Sequence, residues 1–110
     1  MPAIRRFLET NQAPSDYLLR GPLNQLMPRG AGLQSWLGQR VSMVCLDSGT
    51  NGTAIVFVVD VQAVKDPPTS TPAFVQVSKL MTASWTAGHW AYLLMIDNSR
   101  IDRLRLERYL

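Results

Sequence analysis

The chain has 110 residues, 46% of them hydrophobic and 17% charged, with a formal net charge of +3. That length fits one compact domain, and so apolar a composition excludes a disordered chain. So small a charge also excludes a strongly polycationic nucleic-acid binder, in which basic residues gather on one face.

Nine of the eleven cations are arginine, a bias toward carboxylate pairs, stacking and interfaces rather than plain solvation. The low charge leaves apolar surface to cover, which points to a partner subunit. Cys45 is the only cysteine, so no intramolecular disulfide forms, as suits a reducing compartment. No apolar run approaches the ~20 residues that span a bilayer, and "MPAIRRFLET" has two arginines but no apolar stretch of a secretory signal behind them. The expectation is a soluble intracellular protein, cytoplasmic or nuclear, with no membrane contact.

Residues 1–32 hold four of the seven prolines and three of the seven glycines. "NQAPSD" and "LMPRGAG" are turn-like, and the stretch between them has room for a short helix that Pro22 opens and Pro28 stops. We expect residues 1–32 to form an arm laid on the domain or on a partner, because Tyr17, Leu18 and Leu19 need an apolar cover. The domain itself is expected over 33–110. In "GLQSWLGQRV", Leu33, Trp36 and Leu37 fall at i, i+3 and i+4, which predicts one helical turn closed by Gly38 in a left-handed conformation.

A strand is expected from Arg40, with Val41, Met43 and Cys45 on one face and Ser42, Val44 and Leu46 on the other. Asn51-Gly52 in "SGTNG" is a hairpin signal. "TAIVFVVDVQAV" reads as a long strand, its continuous apolar run indicating burial on both faces for part of its length. "KDPPTSTP" is a loop, "AFVQVSKLM" a third strand, "TASWTAG" a turn or loop and "HWAYLLMID" a fourth strand. In "RIDRLRLERYL", Leu104 and Leu106 lie two apart with Arg103, Arg105 and Glu107 between and beside them. A helix would scatter its apolar residues, so period two predicts a short fifth strand. The fold class expected is mainly β: five strongly bent antiparallel strands closed into a small barrel, SH3-like in outline, with a short N-terminal helix.

Three stretches resemble the Sm and Sm-like family. "WLGQRVSMVCLDSGTNG" is similar to that family's opening, "IVFVVDVQ" to its second strand, and "LLMIDNSRIDRLRL" to its closing motif; together they cover about residues 33–108. The resemblance implies an Sm-like barrel. It also implies which function is missing, because RNA-reading members carry an Asn after the Asp of the second strand, where Asp60 is here followed by "VQAV". They also place Arg-Gly before the closing turn, where Ile96-Asp97 stands here. What remains resembles the protein-binding members, such as Gemin-type subunits and acetyltransferase auxiliary subunits, whose edges pair with another protein.

The expected role is therefore a non-catalytic Sm-like subunit in a larger, ribonucleoprotein-related complex, without cofactor, metal or catalytic residues. It would join its partner by strand addition along an edge, "HWAYLLMI" or "RLRLE", and its partner-binding residues would be Trp90, Tyr92, Leu94, Arg103 and Arg105, with Tyr17, Leu18 and Leu19 from the arm. The alternative is an OB-like module that binds single-stranded nucleic acid through Trp85, Trp90, Arg100 and Arg105. His89 and Cys45 are too few for the usual zinc pattern, and a mid-strand cysteine is ordinarily an inert core residue. Asp97 and Asp102 read as turn caps and partners of Arg100 or Arg103 rather than an acid–base pair. Arg100, Arg103, Arg105 and Arg108 are the one dense basic cluster, split between two faces if the segment is a strand.

Overall fold

The computed structural model describes residues 2–15, 17, 19, 21–36, 38–47, 53–64, 69–77, 80–97 and 110. In chain order these form helix α1 (Pro2–Thr10), a 3₁₀ turn (Gly21–Gln25), β1 (Pro28–Trp36), β2 (Gln39–Asp47), β3 (Thr53–Asp60), a second 3₁₀ turn (Val61–Ala63), β4 (Ala73–Val77), β5 (Leu80–Ala87) and β6 (Trp90–Asp97). The strands make one antiparallel sheet in the order β1-β2-β3-β6-β5-β4.

The fold is thus mainly β with one short helix, but it departs from the expected barrel. Six strands are described rather than five, and among the described residues β1 and β4 remain separate edges, so the sheet does not close. The helical turn expected at 33–38 is the end of β1 instead. Gly30 and Gly32, just before it, disfavour any helix that the turn could extend, and the backbone of 28–36 pairs along β2 from Pro28↔Leu46 to Trp36↔Gln39. Gly38 does take a positive φ, +79°, but it serves a two-residue hairpin connection and not a helix end. The 32/33 boundary between arm and domain falls inside β1.

The stretch expected as one strand at 73–81 divides in two. Val77 pairs with Leu80 across residues 78–79, and "TASWTA", expected as a turn or loop, is the body of β5. Its alternation explains this: Ala83 and Trp85 face the core, while Thr82, Ser84 and Thr86 take the other face, where Thr82 is also buried and its hydroxyl donates to Val75 O at 2.8 Å, a pattern that β-branched threonine favours. Strands β2 and β3 pair as expected, from Asp47↔Thr53, while the turn signal Asn51-Gly52 lies outside the described residues. So does the expected fifth strand, with Arg100, Arg103, Arg105 and Arg108.

One face of the sheet carries the main core: Ser42, Val44 and Leu46 of β2, Ala54, Val56 and Val58 of β3, and Tyr92, Leu94 and Ile96 of β6, all nearly or fully buried. The arm covers this face. Ile4 and Leu8 lie one turn apart on α1 and both reach the core. The helix ends in a reciprocal cap, in which Gln12 N–H donates to Glu9 O at 3.0 Å and Ala13 N–H to Leu8 O at 2.9 Å. Gln12 supplies the positive φ, +59°, usually given by glycine, and Ala13 buries beside Leu8 in the same core cluster.

Beyond the cap, Arg5 holds the descending chain. Its guanidinium donates to Ser15 O at 2.6 Å and Tyr17 O at 2.9 Å, and sits 4.4 Å from the centre of the Tyr17 ring. Tyr17, Leu19 and Leu23 follow into the core, and the fully buried Ser42 hydroxyl donates to Pro14 O. The arm is therefore part of the domain's own core. Leu110, at the far end of the chain, packs against that same cluster.

Candidate functional site

With one face closed by the arm, the second face of the sheet carries the site. The strand register arranges it in rows. Gly32 pairs with Met43, Met43 with Phe57, Phe57 with Leu93 and Leu93 with Ser84. A parallel row runs Gly30, Cys45, Ile55, Met95 and Thr82. A third begins with Gln34 opposite Val41, passes through the buried cluster of Val41, Val59 and Ala91, and reaches Thr86 opposite Ala91.

No residue in these rows is charged. Val41, Val59 and Ala91 are at most 7% exposed, while Met43, Ile55, Phe57, Leu93 and Met95 are half-buried. The face is concave, an open groove of about 640 Å³ floored by Phe57, Val59, Ala91, Leu93 and Met95, with Gln34 and Ser84 at its two sides.

The second 3₁₀ turn shapes one end of it. The Asp60 carboxylate accepts from Gln62 N–H at 2.9 Å, Val61 N–H donates to His89 O at 2.9 Å, and Val64 N–H donates to Val61 O at 3.2 Å. This brings Val64 back against the Val41, Val59 and Ala91 cluster as a wall. At the β1 side, Gly32 makes room: a Cβ there would stand 2.5 Å from the Met43 methyl, which fills that space.

A second, polar cleft of about 240 Å³ lies on the other side, between Gln12–Ser15 and the strand ends at Gln39, Arg40, Asp60 and Trp90. Arg40 is exposed and Asp60 half-buried there. His89 is exposed in the β5–β6 turn, where Gly88 takes φ +61° and the imidazole meets the Trp90 ring edge-on at 5.0 Å. Cys45 sits half-buried in the second-face row farthest from that turn, so the register holds the two apart. Among the described residues no three His, Cys, Asp or Glu side chains gather into a metal-binding group.

The residues expected to bind a partner are placed differently from that expectation. Tyr17, Leu19, Tyr92 and Leu94 are core residues, none more than 7% exposed, so their side chains are not offered to a partner. β6 lies between β3 and β5 and is paired along both sides, so "HWAYLLMI" is not an edge to which a strand adds. Leu18, Arg100, Arg103 and Arg105 lie outside the described residues.

The aromatic platform of the nucleic-acid alternative is also internal. Trp85 stacks on Tyr92 with ring centres 5.3 Å apart and planes 5° off parallel, and the pair is 1% and 2% exposed. Trp90 is half-buried against the core. Residues 28–36, now an edge strand, were missed as part of any site, and the alternation of Gly30, Gly32 and Gln34 with Ala31 and Leu33 was the signal. The second face was signalled by the apolar run of β3.

The chain matches no protein-family model, no curated protein and no solved structure. No helix among the described residues is long and apolar enough to cross a membrane.

Proposed function

We propose that the chain is a non-catalytic assembly module, a β-rich subunit that joins another polypeptide by strand pairing at an open edge of its sheet. The observation that carries this is the β1 edge. β1 is nine residues long, and among the described residues it pairs with β2 on one side only. Its hairpin closes with Trp36 opposite Gln39 across two residues, so Trp36, Gln34 and Gly32 exchange hydrogen bonds with β2. The N–H and C=O groups of Ser35, Leu33 and Ala31 then point outward, ready to pair with an added strand.

Nothing in residues 30–36 guards this edge with charge or proline. The nearest cation, Arg29, is engaged with Asp47 at 3.0 Å. β4, the other edge, is only five residues long. The resemblance to protein-binding Sm-like subunits supports the same mode of assembly, transferred from the closing motif to β1, and a place in a ribonucleoprotein-related complex. Among the described residues no aromatic platform and no basic track favours the nucleic-acid reading.

The test is a photoreactive side chain at Ser35, which is exposed, combined with Ser35→Pro, which removes one outward N–H. The expected result is a cross-link from Ser35 to one identified protein, or to a second copy, that Ser35→Pro abolishes while the circular dichroism spectrum is unchanged. A wild-type chain that stays monomeric in light scattering and forms no cross-link at Ser35 overturns the proposal.

A further inference from the structure

Strand pairing at the β1 edge gives the apolar second face of the sheet no role. We propose that its groove receives an amphipathic α-helix of a partner protein, laid across the strands with its apolar side down. This rests on the assembly reading and specifies a second element of the partner.

The chain itself does not cover the groove with any described residue beyond Val64. The arm lies on the opposite face, and Leu110 ends packed against the core on that opposite side too. The groove nonetheless holds residues as dry as a core, and its rows contain no charge. From Gln34 on β1 to Ser84 on β5 is four strand spacings, ~19 Å, and three rows cover ~14 Å along the strands. A footprint on the order of 300 Å² is well below the ~800 Å² per partner that a stable folded dimer buries. Two concave faces placed together would also enclose unfilled space, which costs stability. The surface is sized for one element.

That element is a helix for a hydrogen-bonding reason. An extended segment lying on the rows would bury N–H and C=O groups against Phe57, Leu93 and Met95, which offer no partner. A helix satisfies its own backbone and presents only side chains. A helix of about fourteen residues is ~21 Å long and ~10 Å across, which matches the groove in both directions.

The probe is a fluorescein-labelled peptide of about fourteen residues with leucine and alanine on one helical face and lysine and glutamate on the other, followed by anisotropy and by amide chemical shifts of the protein. The expected result is saturable binding at micromolar concentration, with shifts at Phe57, Leu93 and Met95, weakened about 100-fold or more by Leu93→Glu, which would bury an unpaired charge. Ser84→Arg, a change at the groove's polar side that leaves the apolar floor intact, is expected to weaken it about tenfold, and circular dichroism verifies that both variants fold. Ser35→Pro is expected to leave peptide binding unchanged, so loss of edge pairing and loss of groove binding are read separately. No binding of the peptide, binding undiminished by both groove variants, occupation by laurate in place of the peptide, or a dimer that closes the groove would each overturn the proposal.

Discussion

Replacing Arg5 by alanine tests whether the arm is held by chemistry or merely rests on the sheet. The guanidinium makes two charge-assisted hydrogen bonds, at 2.6 and 2.9 Å, to the carbonyls of Ser15 and Tyr17, and it lies over the Tyr17 ring. Bonds of this kind contribute about 1.5–3 kcal/mol each, and the ring contact at a part-exposed site about 0.5–1 kcal/mol. Arg5 is half-buried, so water replaces part of what is lost, and the expected destabilisation is about 2–3 kcal/mol. In a domain whose total stability is about 5–15 kcal/mol, that lowers the melting temperature by roughly 10–20 °C. Urea unfolding followed by circular dichroism measures it. Arg5→Lys keeps the charge but not the fork, and should recover about half of the loss. Arg6→Ala, one residue along on an exposed position, should stay within about 0.5 kcal/mol of wild type. If Arg5→Ala is no worse than Arg6→Ala, the arm is docked by Leu8 and Tyr17 packing alone and the clamp is incidental.

Ser42→Ala should cost about 1–3 kcal/mol in the same assay, because the Pro14 carbonyl loses its buried donor while water stays excluded. Tyr17 should produce an alkaline unfolding step: burial raises its pKa above the ordinary 10.0, with Arg5 pulling down and Tyr92 adding a smaller push upward. Because the folded pKa is the higher one, this contribution is fully present below pH 10 and is lost as pH rises from there through the folded pKa; absorbance at 295 nm should track unfolding, and Tyr17→Phe should remove that step. Gly38→Ala should destabilise by about 1–2 kcal/mol, since φ +79° is costly for any residue with a Cβ. Gly32→Ala should cost under about 1 kcal/mol, because the new methyl meets only the movable end of Met43.

Strand periodicity made the middle of this fold legible. β2 separates two faces in its sequence, and the side that turned inward, Ser42, Val44 and Leu46, is one of them, while β3 and β6 are legible as apolar runs of strand length. The failures share a physical cause. In residues 33–37 three apolar residues satisfy a helical spacing, and only the β2 partner, a tertiary fact, overrides it. In residues 82–88 threonine, serine and glycine resemble a loop by composition, yet Thr82, Ser84 and Thr86 recur at every second position and so share one face of a strand. α1 was missed because its end lacks glycine: Gln12 takes the left-handed position, and the cap works through backbone bonds that composition does not reveal. The site was misplaced for a related reason. Side chains of Tyr17, Tyr92 and Leu94 are apolar enough for an interface or for a core, and burial depends on which strand ends up central.

An antiparallel sheet covered on one face by its own helix needs apolar residues only at alternate positions; the others are free to be polar. β5 follows that economy, with Thr82, Ser84 and Thr86 on its second face. β3 and β6 do not. Ile55, Phe57 and Val59, then Ala91, Leu93 and Met95, are apolar where solvent alone would accept lysine or threonine. These two strands are neighbours at the middle of the sheet, so the excess is one continuous floor and not scattered. Its half-buried members would each lose further apolar area beneath a covering helix, at about 25 cal/mol per Å². Charge is absent from that floor and retained at the rim, where Asp47 holds Arg29. A face left to water has no physical need for that distribution, whereas a face that is covered part of the time requires it.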